Sequence, residues 1–133
     1  MSTLYRGTSS LTESASRVFR DVVFAEPQGY RPLSADLYLP AKSHPPVVIF
    51  VHGGGWHQGS RRTFCPGLSA EASFGRLTAS GWAVVSIDYR LSGEAVFPAQ
   101  LHDVTTAIKW VQSDGGAEYE LDAERLALWG ESA

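Results

Sequence analysis

Val47-Val48-Ile49-Phe50-Val51 is five apolar residues in a row, with no polar residue between them. A strand with one wet face alternates. An unbroken run of β-branched and aromatic residues instead marks a strand covered on both faces, as in a parallel sheet between helices. His52-Gly53-Gly54-Gly55-Trp56 follows directly and must be a loop. Two more buried runs follow, at residues 82–87 and 126–129. Residues 66–80 predict a helix whose buried side is Leu68, Ala72, Leu77 and Ala79, with Gly81 as its stop. Residues 97–112 predict a second helix. Pro98 lies in its first turn, and Leu101, Val104, Ile108 and Val111 fall on one face. Strand, helix, strand, helix, strand is the order of βαβ crossovers and of a sheet with helices on both faces.

Upstream, residues 18–24 favour a strand, and residues 33–39 alternate as a half-buried strand. The Pro27-Gln28-Gly29 turn joins them into an antiparallel hairpin. The fold class expected is α/β: a hairpin leading into a parallel, doubly wound sheet. Residues 113–120 predict a polar loop and 121–125 a short turn. Residues 1–16 are Ser/Thr-rich without periodicity, which predicts a flexible arm over 1–17 and a domain portion over 18–133.

Composition narrows the function classes. The chain has 133 residues, 44% hydrophobic and 19% charged, which describes one globular unit. A net charge of −3 argues against a general nucleic-acid binder. No apolar run approaches the ~20 residues of a membrane span, and the first thirty residues lack a signal-peptide pattern. The expected location is therefore cytoplasmic. The single cysteine, Cys65, offers neither an internal disulfide nor a Cys-based metal cluster, and reads as an inert, partly buried thiol.

Three adjacent glycines after a buried strand carry an entropic cost. One reading is a plain turn. The other is a loop whose backbone N–H groups approach a substrate and meet a developing negative charge. Neither phosphate-loop glycine spacing is met, so a nucleotide cradle is excluded. At the other end, Gly130-Glu131-Ser132-Ala133 follows the third buried strand. Gly-x-Ser there is the first half of the nucleophile elbow, G-x-S-x-G, a strand-to-helix turn that lifts a serine above the sheet. Both loops would open at the carboxyl edge of the strands, where doubly wound sheets bind ligands.

The chain resembles the α/β-hydrolase superfamily, in its esterase/lipase group related to hormone-sensitive lipase and feruloyl-esterase-like carboxylesterases. The matching segments, in family order, begin with Asp36-Leu37-Tyr38-Leu39-Pro40 and Val48-Ile49-Phe50-Val51-His52-Gly53-Gly54-Gly55-Trp56. They continue with Asp88-Tyr89-Arg90-Leu91-Ser92, Phe97-Pro98-Ala99-Gln100-Leu101-His102-Asp103-Val104, Ala107-Ile108-Lys109-Trp110-Val111 and Trp129-Gly130-Glu131-Ser132-Ala133. The resemblance implies Ser132 as nucleophile and the Gly54, Gly55 and Ala133 amides as the oxyanion hole. His52, Gly53, Trp56, Gly130 and Glu131 support them: the His52 ring braces the loop, Glu131 caps or braces backbone, and Trp56 lines a pocket or packs the loop. The family's Gly and Pro near Glu120 and Ala123 are missing here.

In this fold the triad acid and histidine follow the serine. They are therefore expected to be absent from this chain, which predicts an inactive fragment on its own with residues 126–129 as an uncovered apolar edge. His44 reads as solvated, His57 as pocket-lining, and His102 as a helix-surface residue. Asp88 and Arg90 are expected to hold the 88–92 turn, and Asp103 to pair with Arg90. The function implied is a serine hydrolase that cleaves carboxylic esters of small or medium chain length through an acyl-enzyme, without cofactor or metal. An arylformamidase-like amidase and a non-catalytic binding protein on the same scaffold are the alternatives.

Overall fold

The computed structural model describes residues 8–11, 17–64 and 67–132. Cys65, Ala133 and most of the expected arm lie outside them. Within the arm segment, Thr8–Leu11 forms strand β1, paired antiparallel with β2 (Arg17–Ala25). The hairpin partner of β2 is β3 (Leu33–Leu39). Then follow β4 (Pro46–Val51), α1 (Ala70–Ala79), β5 (Ala83–Ile87), α2 (Ala99–Val111), the short α3 (Asp114–Glu118) and β6 (Asp122–Gly130). Residues 113–120 were expected to be a loop. They hold α3, whose buried Gly115 leaves no room for a Cβ beside the Trp110 ring.

The six strands are ordered β1-β2-β3-β5-β4-β6. β4 is parallel to both β5 and β6, and β3 is antiparallel to β5. The sheet is thus the expected antiparallel edge grown onto a parallel block. The chain leaves β4 through α1 to β5 on one side, then passes through α2 and α3 to β6 on the other. β4 is therefore the point where the winding reverses. Val51 pairs in register with Ile87 and with Gly130. The loops after all three parallel strands consequently open at one edge.

Each face of the sheet has its own core. Phe19, Leu37, Ile49 and Val85 pack with Ala107 and Val111 of α2 on one face. On the other, Val48, Phe50 and Val84 pack with Phe74 of α1. Phe50 lies 5.2 Å from Phe74 and 5.3 Å from Trp129, both edge-on. Such pairs contribute about 0.5–1.5 kcal/mol each beyond area burial. The helix α1 starts at Ser69, whose side chain accepts from the Ala72 N–H as an N-cap.

Four expectations change. The buried side of α1 is Phe74 and Thr78, whereas Leu68, Ala72 and Ala79 are exposed and Leu77 is half-buried. β3 is not half-buried: Asp36 and Tyr38, on its supposedly wet side, are buried, because α1 and a set of arginines cover that face. β6, read from its apolar run as a buried strand, lies at the sheet edge with Leu128 54% exposed, as the other expectation of an uncovered apolar edge at residues 126–129 had it. Among the described residues only β4 lies beside it. The buried side of α2 is rotated from Leu101, which is 55% exposed, toward Gln100, Asp103, Ala107 and Val111. Two of those four are polar, so apolar periodicity could not place the face. Among the described residues, no helix is long and apolar enough to cross a membrane.

Candidate active site

The loop leaving β4 turns sharply. Gly54 has φ +127°, and a Cβ there would lie 2.1 Å from the Gln58 carbonyl oxygen, so only glycine fits. The His57 and Gln58 N–H groups donate to the Gly54 carbonyl and close the turn. The N–H groups of Gly54 and Gly55 are bonded to no acceptor among the described residues. Trp56 continues the turn at φ +66°, its ring 5.0 Å from that of Tyr89, and its carbonyl accepts from the Ser92 N–H at 2.7 Å. It remains 40% exposed.

His52 braces this loop from beneath. It is buried and stacks on Tyr89 with centroids 4.2 Å apart and planes 11° from parallel. Its Nδ1 is 2.7 Å from the Gly53 carbonyl oxygen. A carbonyl only accepts, so Nδ1 carries the proton. Nε2 is then a buried lone pair without a partner among the described residues. The Tyr89 hydroxyl donates to the His52 carbonyl at 2.9 Å. Burial pushes the His52 pKa down from its ordinary value and the Tyr89 pKa up to about 12.

The turn after β6 meets this loop. The Glu131 N–H donates to the Val51 carbonyl at 3.1 Å, extending the β4–β6 ladder one step beyond Gly130. Ser132 follows, exposed, at φ +59°. A non-glycine residue in this region carries strain of about 1–3 kcal/mol, as a nucleophile elbow does. Gly53 is so close to the turn that a Cβ on it would lie 2.5 Å from the Glu131 carbonyl oxygen. The structure therefore brings Gly53 against Glu131 and Ser132, with Gly54 and Gly55 following Gly53 in the same turn, while Ala133 lies outside the described residues. His57 is exposed within the loop, and His44 and His102 are exposed elsewhere.

The loop that follows β5 carries ion pairs. Arg90 donates to Asp103 through its main-chain N–H at 2.8 Å and through Nη2 at 2.8 Å, which is the expected pairing. Asp88 does not join Arg90. Its partner is Arg61, whose Nη1 donates to Oδ2 at 2.6 Å and whose main-chain N–H donates to Oδ1 at 2.8 Å. Sequence reasoning missed Arg61, since the residues it bonds lie 25 and 27 positions away. Among the described residues, no cluster of three or more His, Cys, Asp or Glu side chains could hold a metal ion.

A family model, BD-FAE, matches residues 35–133. The chain belongs to the BD-FAE family. It is 36% identical over 107 residues to Carboxylesterase NlhH of Mycobacterium tuberculosis, covering 79% of this chain and 32% of that protein. It is also 36% identical to Arylacetamide deacetylase of Bos taurus, over 73% of this chain and 25% of the relative. Among solved structures it matches a Pyrobaculum calidifontis esterase with TM-score 0.72 and 35% identity, over 88% of this chain and 36% of that one. The fold of this BD-FAE chain is thus an N-terminal part of the α/β-hydrolase fold. The chain spans about a third or less of the length of these relatives.

Proposed function

We propose that this BD-FAE chain supplies the nucleophile and the oxyanion hole of a serine hydrolase that cleaves small carboxylic esters. One observation supports the reading: a strained, exposed Ser132 stands against a glycine turn whose Gly54 and Gly55 amides have no acceptor among the described residues. The Ser132 Oγ attacks the acyl carbon, and the oxyanion takes hydrogen bonds from those amides and from that of Ala133. The carbon–oxygen bond to the alcohol then breaks, the alcohol leaves with a proton, and water releases the acyl group. Donors fixed before the reaction stabilise the charge as it develops. The Ser132 proton goes to a histidine. His52 is unsuited to that task, being buried with Nδ1 committed to Gly53. The acid and base belong to the part of the relatives' length that these 133 residues do not span.

The test is turnover of p-nitrophenyl acetate by the protein expressed from its whole reading frame. Ser132→Ala should lower kcat by on the order of 10⁴–10⁶-fold. The 133-residue chain alone should match its own Ser132→Ala variant. Hydrolysis that survives Ser132→Ala in the longer protein would sink the reading. The likeness to a relative named Arylacetamide deacetylase favours one second reading, amide cleavage at the same site. Turnover of p-nitroacetanilide and not of the matched ester would select it.

A further inference from the structure

The loop from His52 to Arg61 is held at both ends by one dipeptide. Asp88-Tyr89 follows directly after β5, and the Asp88 N–H is fixed by the Ser34 carbonyl of β3 at 3.0 Å. Tyr89 holds the first residue of the loop by stacking on the His52 ring and donating to its carbonyl. Asp88 holds the last by accepting from the main-chain N–H and the Nη1 of Arg61. Three more bonds tie Arg61 down, one of them from Nη2 to Asp21 of β2. Its Nε donates to Asp36 of β3 at 2.9 Å, and its carbonyl accepts from the Ser86 Oγ of β5 at 2.6 Å. Between these anchors, Gly59 folds back on the start of the loop. A Cβ there would lie 2.8 Å from both His52 Nδ1 and the Gly53 oxygen.

We propose that Arg61 is a positioning residue for the oxyanion turn. The proposal rests on the reading of that turn given above. The loop backbone is strained at Trp56 and crowded at Gly54, so it holds its form only while its ends are over-determined. Arg61 is the loop's own contribution to that constraint. Its planar fork addresses three carboxylates at once, Asp21 of β2, Asp36 of β3 and Asp88 just after β5, which a lysine ammonium cannot reproduce. The neighbouring Arg62 serves as the contrast. It donates to Asp36 at 2.8 Å and to Asp21, is half exposed, and makes no bond to Asp88. Both arginines reach Asp21 and Asp36 on the strands, but Arg61 also bonds Asp88 and so ties the loop to the segment after β5.

The experiment compares Arg61→Lys with Arg62→Met in the protein expressed from its whole reading frame. Arg61→Lys should lower kcat on p-nitrophenyl acetate about 10²-fold with KM within about twofold, the scale of a catalytic group displaced by ~1 Å. It should weaken a trifluoromethyl ketone inhibitor by the same factor, because that ligand samples the oxyanion geometry. Arg62→Met should lower Tm and leave kcat in place. Amide hydrogen exchange across residues 53–57 supplies a readout that needs no activity: Arg61→Lys should speed it, and Arg62→Met should not. If Arg61→Lys does not fold, Asp88→Asn takes its place, with the same exchange pattern expected. Wild-type kcat together with wild-type exchange in the Arg61 variant would overturn the proposal. If the enzyme shows no Ser132-dependent hydrolysis, the functional reading fails, and the exchange measurement alone decides on Arg61.

Discussion

A Cβ placed on Gly53 would stand 3.3 Å from the Cβ of Ser132 and 2.5 Å from the carbonyl oxygen of Glu131. Two loops separated by some eighty residues of sequence are thus in backbone contact, with only a hydrogen atom's room between them. The clash is with backbone and not with the far end of a flexible side chain, so the turn itself must shift to relieve it. Gly53→Ala should therefore displace the Glu131–Ser132 turn itself. The expected outcome is a stability loss of about 1–3 kcal/mol, as for overpacking. With Ser132 as the proposed nucleophile, a kcat drop on the order of 10²-fold should accompany it. Urea unfolding and ester turnover on the same preparation check the two together.

Ser132 holds φ at +59°, a conformation that glycine adopts without strain. Ser132→Gly and Ser132→Ala should both abolish turnover. They should differ in stability: the glycine variant should gain about 1 kcal/mol over the alanine variant, the strain released at the elbow. Equal unfolding midpoints for the two variants would place the strain elsewhere.

How far the sequence could be read follows from the range over which its signals act. The Val47–Val51 run and the glycine turn after it are local, and both lie where their neighbours in sequence require. The register that sets Val51 beside Gly130 is not local, yet it was implied by strand order, since parallel strands joined by helices end at one edge. The buried face of α1 was missed, since Phe74 sets it and not Leu68, Ala72 or Ala79. The rest that stayed hidden was the inward turn of polar groups, although the pairing of Asp103 with Arg90 was legible. Gln100 and Asp103 face the core of α2 because the Arg90 backbone and guanidinium satisfy them, and nothing in a hydrophobic pattern marks a satisfied carboxamide or carboxylate. Asp36 looked solvent-facing for the same reason. Its arginines come from positions 20, 61 and 62, which only the folded sheet brings together.

The buried imidazole of His52 makes a prediction about acid. Burial holds its pKa below the ordinary 6.5 in the folded protein, because a proton on Nε2 would place charge where there is no acceptor among the described residues. The unfolded chain binds that proton more readily. The His52 contribution is therefore complete above about pH 6.5 and is lost as pH falls from there toward the folded value. Asp36 adds a second step in the same direction. Burial raises its pKa, but bonds from Arg62, Arg61 and the Asp21 amide outweigh that and hold it below 3.8. Its contribution is present above that value and is lost at lower pH. Unfolding midpoints measured between pH 7 and pH 3 should fall in two stages, and His52→Asn should remove the upper one.

The Arg90–Asp103 pair separates two costs that a single substitution confounds. Asp103 is almost wholly buried and takes three donors from one residue: the Arg90 main-chain N–H, Nε and Nη2. Asp103→Leu strands a guanidinium whose side chain is only 20% exposed, so it should cost about 3–5 kcal/mol. Adding Arg90→Met removes the stranded charge and should recover most of that loss. It cannot recover all of it. The main-chain N–H of residue 90 loses its acceptor in both variants, and a buried unmet donor costs about 1–3 kcal/mol. The double variant should therefore remain less stable than the parent by about that amount in urea unfolding. Full recovery would mean that the loop from Asp88 to Ser92 finds another acceptor, and its link to Trp56 would then shift as well.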